Sequence, residues 1–250
     1  MNPMFSMIDP QTLILASVVV FLGAITQSLI GFGLAVVASP LLYIVDPQLV
    51  PGPVIAMGFT IALLTLMRER GHLEFNGLQY ALIGRVPGGF IGASLLLFAP
   101  QSILGLSIAA IVAVAVILSL YKFSLPVNKK TLFGAGIVSG IFGNIAAIGG
   151  PPMAILLAGK DASQFRAALS AFFIFSSAIA MAILAITGLL ELKHLWLSLM
   201  LLPSVLLGYL VAGRLVGSVD KDKTKMATLV LCSISALVLT VKSVIELLPQ

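Results

Sequence analysis

A chain of 250 residues that is 60% hydrophobic and only 9% charged, with a mean hydropathy of +1.16, cannot hide its apolar surface in a soluble fold, where about a quarter of residues carry charge. Its net charge of +5 sits mainly in short segments between apolar runs, where basic residues orient spans and touch anionic lipid; membrane lipid, not nucleic acid, is the partner this implies. The single Cys232 lies within an apolar run, which excludes an internal disulfide and leaves packing as its role.

Residues 11–30 form the first apolar run. With no basic stretch and cleavage site around it, the run reads as a mature membrane helix and not as a secretory signal. It continues to residue 45, too long for one plain span, and is interrupted by Gly31-Phe32-Gly33 and by Ser39-Pro40. Glycine admits non-helical backbone angles, and proline removes a donor and clashes with the preceding turn. Leu78–Phe98 is a predicted span with one internal charge, Arg85, and residues 103–121 form another. Residues 131–157 repeat the broken pattern, with Gly143-Asn144 and Gly149-Gly150-Pro151-Pro152 as the interruptions. Residues 165–186 and 226–248 reach or approach the roughly 20 apolar residues that cross a hydrocarbon core about 30 Å thick. His72 and His194 fall in predicted loops with no second ligand at useful spacing, so the sequence assigns no metal and no cofactor.

Sliding the sequence by 112 residues superposes Phe21 on Phe133, Ile25 on Ile137, Gly31 on Gly143, Ala35 on Ala147, Pro40 on Pro152 and Ala56 on Ala168 without a gap; a shift of 116 then superposes Pro87 on Pro203 and Gly92 on Gly208. Chance matching among apolar residues is the alternative, but glycines and prolines coincide at matched breaks, which favours duplication. The expectation is one transmembrane domain over residues 1–250 with internal repeats at 11–121 and 131–248. In lipid, freed backbone groups must be buried in protein or line an aqueous cavity. Each broken element is therefore read as a re-entrant hairpin: a half-helix enters, the chain turns near the midplane, and a second half-helix leaves, Leu34–Val45 being that second limb in the first repeat.

If both hairpins are re-entrant, one face collects Arg68, Arg70, Lys122, Lys129, Lys130, Lys160, Arg166, Arg214, Lys221, Lys223 and Lys225, eleven of the fourteen basic residues. The other face keeps Lys193 and Lys242, and Arg85 is internal. Eight plain spans would divide the charges almost evenly, so the positive-inside rule prefers the first arrangement, with both termini outside. Each repeat then has one hairpin and three full spans, and the second repeat is inverted relative to the first. The predicted fold is thus an all-α integral membrane protein of two inverted repeats, conventionally counted as about eight transmembrane segments, with a site where the repeats meet.

Ser28-Leu29-Ile30-Gly31-Phe32-Gly33 followed by Ser39-Pro40-Leu41-Leu42, and Gly140-Ile141-Phe142-Gly143 followed by Gly149-Gly150-Pro151-Pro152, resemble the paired motifs of the TauE/SafE sulfite exporter family. The run from Gly84 to Gly92, Gly-Arg-Val-Pro-Gly-Gly-Phe-Ile-Gly, is similar to the family's third segment, with Leu202-Pro203 and Gly208 as its echo. The resemblance covers essentially the whole chain and implies a bacterial inner-membrane carrier of sulfite, organosulfonates or related small anions. The chain departs from the commoner pattern in having fewer glycines at Phe32-Gly33-Leu34 and no Thr-Ser pair within residues 54–58.

A helix N-terminus offers unpaired amides and the positive end of a dipole, so a half-helix starting inside the membrane is an anion receptor. Two starts are predicted, at Gly33-Leu34 and at Gly149-Gly150. Around them, Thr26, Gln27 and Ser28 from the first repeat and Ser139 and Asn144 from the second can donate hydrogen bonds to an oxyanion. The hydroxyls are equally explained by bonds to the preceding helical turn, whereas the amides of Gln27 and Asn144 are costlier to bury. The candidate substrate-binding set is Gln27, Ser28, Gly31, Phe32, Gly33, Arg85, Ser139, Gly143, Asn144, Gly149 and Gly150, with Phe32 read as packing or gating and the glycines as at least structural. Arg85 either guides an anion, snorkels to the headgroups or makes a buried structural pair. Arg166, at the start of a span, is read as a solvated anchor or as lining of the cytoplasmic mouth.

No intramembrane acid pair, His-Glu-x-x-His or Gly-x-Ser-x-Gly pattern is present, so the chain is not expected to be an enzyme. The function read from the sequence is an inner-membrane transporter, with export favoured, of a small anion such as sulfite or an organosulfonate, bound at mid-membrane. The alternatives are a gated anion channel, or a coupled importer of a sulfur-containing or carboxylate anion. Asp9, Asp46, Glu69, Glu74, Asp161, Glu191, Asp220, Asp222 and Glu246, all nine acidic residues, fall in predicted loops or near span ends, so no buried carboxylate is expected as a proton relay.

Overall fold

The computed structural model describes residues 8–73, 77–120, 125–215 and 221–248. Glu74, Tyr121, Lys122 and Asp220 lie outside the described residues, as do the side chains of Lys221 and Asp222. The described chain forms ten α-helices: α1 (Pro10–Ile30), α2 (Leu34–Val45), α3 (Gly52–Glu69), α4 (Leu78–Phe98), α5 (Gln101–Leu120), α6 (Lys129–Ala146), α7 (Gly150–Leu156), α8 (Ala162–Ile186), α9 (Leu192–Leu215) and α10 (Lys221–Leu247). Seven helical stretches among the described residues are long and apolar enough to cross a membrane, and α2 is a shorter apolar helix. The protein is all-α and multi-pass.

Local chemistry sets the helix ends. Asp9 caps α1 by accepting from the amides of Gln11 and Thr12 at 3.0 and 2.9 Å, with Pro10 at the first helical position, where its missing donor costs nothing. α1 stops at Gly31 and α2 starts after Gly33; both glycines have left-handed φ, 104° and 137°, angles that exclude most side chains. Asn128 and Thr131 form a reciprocal capping box at the start of α6. α6 ends at Ala147 with φ 59°, and α7 begins after Gly149. Both half-helix starts read from the sequence therefore stand. The limb before the first break is longer than the half-helix expected: α1 runs 21 residues, about 31 Å at 1.5 Å per residue, long enough by itself to cross the core. His194, expected in a loop, lies in the first turn of α9, where its Nδ1 accepts from the amide of Glu191 at 3.0 Å.

The second five helices repeat the long–short–long–long–long order of the first five. Their packing is reciprocal: α4 lies along α6 and α9 along α1, α3 meets α8, and α5 meets α10. The α4–α6 contact is made backbone to backbone. Side chains added at Gly84, Gly88 and Gly92 of α4 would strike the carbonyls of Phe133, Ile137 and Ile141, and one at Gly136 of α6 would strike that of Ala81. Small residues spaced by four let two helices approach this closely in a membrane. Gly208 of α9 plays the corresponding part against the Phe21 carbonyl of α1. The main apolar core, around Val37, Leu42, Val112 and Ile148, binds α2 between α1, α5 and α10.

Candidate functional site

The two helix breaks meet. A Cβ built on Gly150 would lie 3.2 Å from that of Phe32, and the hydroxyl of Ser39, inside α2, donates to the Ala146 carbonyl at the end of α6. Between the breaks lies a cavity of about 40 Å³, above the roughly 10–15 Å³ that admits a water. Of the residues proposed from sequence, Gln27, Phe32, Gly33, Arg85, Gly149 and Gly150 line it. Ser28, Gly31, Ser139, Gly143 and Asn144 do not.

Arg85 lies on the eighth residue of α4 and is 3% exposed, which excludes snorkelling. Its Nη1 donates to the Ser139 carbonyl and, at 3.0 Å, to the Ser139 hydroxyl. That hydroxyl in turn donates to the Gly149 carbonyl at 2.7 Å, tying the guanidinium to the second break. The absence of a side chain at Gly143 makes room for it, since a Cβ there would overlap both Nη atoms. Arg85 Nε has no partner, and among the described residues no carboxylate lies within ion-pair distance of Arg85. A buried cation without an anion, at the wall of a cavity, is costly in a membrane span.

Gln27 closes the other side. Its Oε1 accepts from the Leu34 amide at 3.2 Å, so it caps one of the free donors at the start of α2 and leaves its amide NH₂ for the cavity. The Thr26 hydroxyl bonds the Leu22 carbonyl of the preceding turn, the structural role its position allowed. Ser28 accepts from Arg68 Nη1 at 3.1 Å, and its carbonyl from Nη2 at 2.8 Å. Asn144 is fully buried with both amide atoms unpartnered and lies against Gly89 of α4, off the cavity wall. Sequence reasoning missed Ser176 and Ser177 of α8 and Gly58 of α3, which complete the lining; adjacent serines in the middle of an otherwise apolar span were the available signal.

Two expectations about charge are corrected. Glu69 is 7% exposed and Arg166 is 7% exposed; Arg166 Nε donates to Glu69 Oε1 at 2.9 Å and Arg68 Nε to the same oxygen at 3.3 Å. A buried carboxylate thus exists, and Arg166 is its partner and not a solvated anchor. The sequence placed both at span ends, where solvation is the default; the first break covers them instead, with Gly31 packed on Phe165 and Arg166.

A third feature lies at the other end of the bundle. A cavity of about 250 Å³ is bordered by Tyr43, Gln48, Gln101, Leu184, Glu191 and His194. Leu184 packs with Ala180 and with Ile55, a residue of the smaller cavity's wall. The walls of the two spaces thus share one apolar cluster.

The model of the family described as Sulfite exporter TauE/SafE matches residues 15–239. No curated protein and no solved structure matches the chain.

Proposed function

Because the chain belongs to the sulfite exporter TauE/SafE family, whose members are membrane transporters of small anions, we propose that it exports sulfite or a related organosulfonate across a bacterial inner membrane, binding it in the Arg85 cavity. The observation that carries this is the buried guanidinium of Arg85, held by Ser139 and lacking a carboxylate partner among the described residues, at the meeting point of the two helix breaks. Arg85 supplies the charge, and the Gln27 amide and the backbone around Gly33, Gly149 and Gly150 supply donors. Asn144, buried and unpartnered one turn from the break, lies against α4 and off the cavity wall, and is left out of this donor set. The reciprocal packing of α4 on α6 and of α9 on α1 supports two inverted repeats, residues 11–121 and 131–248, with the site between them at mid-membrane. Phe32 and Ile55, apolar members of the cavity's wall, are read as its gates, which favours a carrier over an open channel.

An inside-negative potential favours anion exit by about 2.3 kcal/mol per charge per 100 mV, so export needs no coupled cation. Among the described residues the one carboxylate buried near the path, Glu69, is engaged by two arginines and is unavailable as a proton carrier. In proteoliposomes, sulfite flux should saturate and should accelerate when a valinomycin–potassium potential makes the receiving side positive, at fixed pH and without sodium. Flux indifferent to the potential but driven by a pH or sodium gradient would replace this reading with coupled transport; no flux of sulfite, thiosulfate or sulfoacetate would end it.

A further inference from the structure

We infer that the Glu69 carboxylate, shared by Arg68 and Arg166, is a latch that closes the Arg85 cavity on the basic face by tying the ends of α1, α3 and α8 together. The inference rests on the transporter reading above and adds the contact that must break for the cavity to open on that side.

The three helices that the cluster joins also line the cavity: Gln27 comes from α1, Gly58 from α3, and Ser176 and Ser177 from α8. At their basic ends, Arg68 of α3 donates from Nη1 to the Ser28 hydroxyl at 3.1 Å and from Nη2 to the Ser28 carbonyl at 2.8 Å. It thereby grips the last turn of α1, one residue beyond Gln27. Arg166 of α8 donates from Nε to Glu69 of α3 at 2.9 Å, and Arg68 Nε reaches the same carboxylate oxygen at 3.3 Å. From this cluster the contacts run in series to the cavity. A Cβ on Gly31 would lie 3.0 Å from Arg166 Cγ and 3.3 Å from the Phe165 ring. That ring meets Phe32 edge-on, with centroids 6.4 Å apart, and Phe32 lines the cavity.

The cluster is built as a fastening that can open. α1 packs mainly on α9 and α2, and α3 on α8 and α9, so Arg68 links helices that otherwise lean on different neighbours. Its bonds are made by long side chains, which release and re-form without repacking backbone, unlike the glycine-to-carbonyl contact of α4 with α6. A buried ion pair is a poor device for stability alone, because apolar side chains of similar volume do as well or better. At the other end of the bundle, beside the wider cavity of about 250 Å³, Glu191 pairs at 3.2 Å with Lys193, two residues along the chain, and that pair joins no two helices.

The test follows Ser177→Cys, on the cavity wall, in a Cys232→Ala background without substrate. The impermeant reagent sulfonatoethyl methanethiosulfonate is added to inside-out vesicles, which present the face expected to be cytoplasmic, and to right-side-out vesicles, which present the other. Glu69→Gln with Arg166→Met opens the latch without changing net charge and without leaving an arginine unpaired. It should speed labelling from the basic face about tenfold, a barrier change of about 1.36 kcal/mol, and should not speed it from the opposite face. Arg68→Gln, which releases Ser28 and leaves Glu69 with Arg166, should give a smaller acceleration from the same face, and decides the matter if the double variant does not fold. Unchanged labelling from the basic face would overturn the inference. Equal acceleration from both faces would overturn it too, since it would show a loosened bundle and not an opened door. Absence of sulfite flux in wild-type vesicles would count against the transporter reading alone, because the labelling is read without substrate.

Discussion

The guanidinium of Arg85 occupies the space that a side chain on Gly143 would take: a Cβ built there overlaps both Nη atoms, and one on Gly149 would lie 2.9 Å from Nη1. Glycine at 143 and arginine at 85 are therefore one structural unit. Gly143→Ala should push the guanidinium off Ser139 and lower sulfite flux by a factor on the order of tenfold to a hundredfold, the scale of a misplaced binding group. Gly134→Ala, in the same helix with nothing near its Cβ, should keep flux and stabilise α6 by about 1 kcal/mol. Equal effects of the two substitutions would show that glycine matters here only for helix propensity.

Arg85→Met separates binding from folding. A buried cation without a counter-charge is unfavourable for stability, so the variant should melt at or above the wild-type temperature. The half-saturating sulfite concentration should rise by about tenfold to a hundredfold, corresponding to the loss of roughly 1.5–3 kcal/mol of charged hydrogen bonding. A large fall in melting temperature with unchanged sulfite affinity would reassign Arg85 to the scaffold.

Removing Glu69 should have the opposite signature. Glu69→Gln leaves Arg166 buried without its anion, and breaking such a pair costs about 3–5 kcal/mol, reduced here because the Arg68 side chain remains 24% exposed. Adding Arg166→Met should recover most of the lost stability, measured by melting in detergent. If the double variant is no more stable than Glu69→Gln alone, the pair does not act as a unit.

Orientation is open to a direct check. In intact cells, with Cys232 replaced by alanine, cysteines at Asn128 and Ala162 should both resist an impermeant thiol reagent and react after the inner face is exposed. Ala162 is chosen because it is exposed at the start of α8, whereas its neighbour Ser163 accepts from Arg166 at 3.2 Å. Labelling of only one of the two from outside would mean that the second broken element crosses the membrane.

The helix breaks were legible because glycine and proline act locally: Gly33 and Gly149 stand as the N-caps expected of them. The meeting of the breaks was expected from the matched spacing of the two broken elements, and Arg85 stood out by the rarity of charge within a span. What Arg85 does was not legible, because snorkelling and burial differ only in whether Ser139, 54 residues away, is within reach. The Glu69–Arg166 pair, 97 residues apart, is likewise a product of tertiary packing, and each partner alone reads as an ordinary span-end charge. The α4–α6 contact left a signal in the four-residue spacing of Gly84, Gly88 and Gly92, which marks a close approach without naming the partner helix.

That contact has a mechanical consequence. With carbonyls seated where side chains would be, α4 and α6 cannot slide or rotate against each other without steric collision, so the two behave as one strut. Arg85 belongs to α4 and its anchor Ser139 to α6, which makes the charge part of the chassis. Whatever rearrangement passes an anion through the bundle must be taken up by softer joints, aromatic against aromatic at Phe32 and Phe165 and aliphatic against aliphatic at Ile55 and Leu184. On the proposed function, the doors would move and the cation behind them would stay where it is.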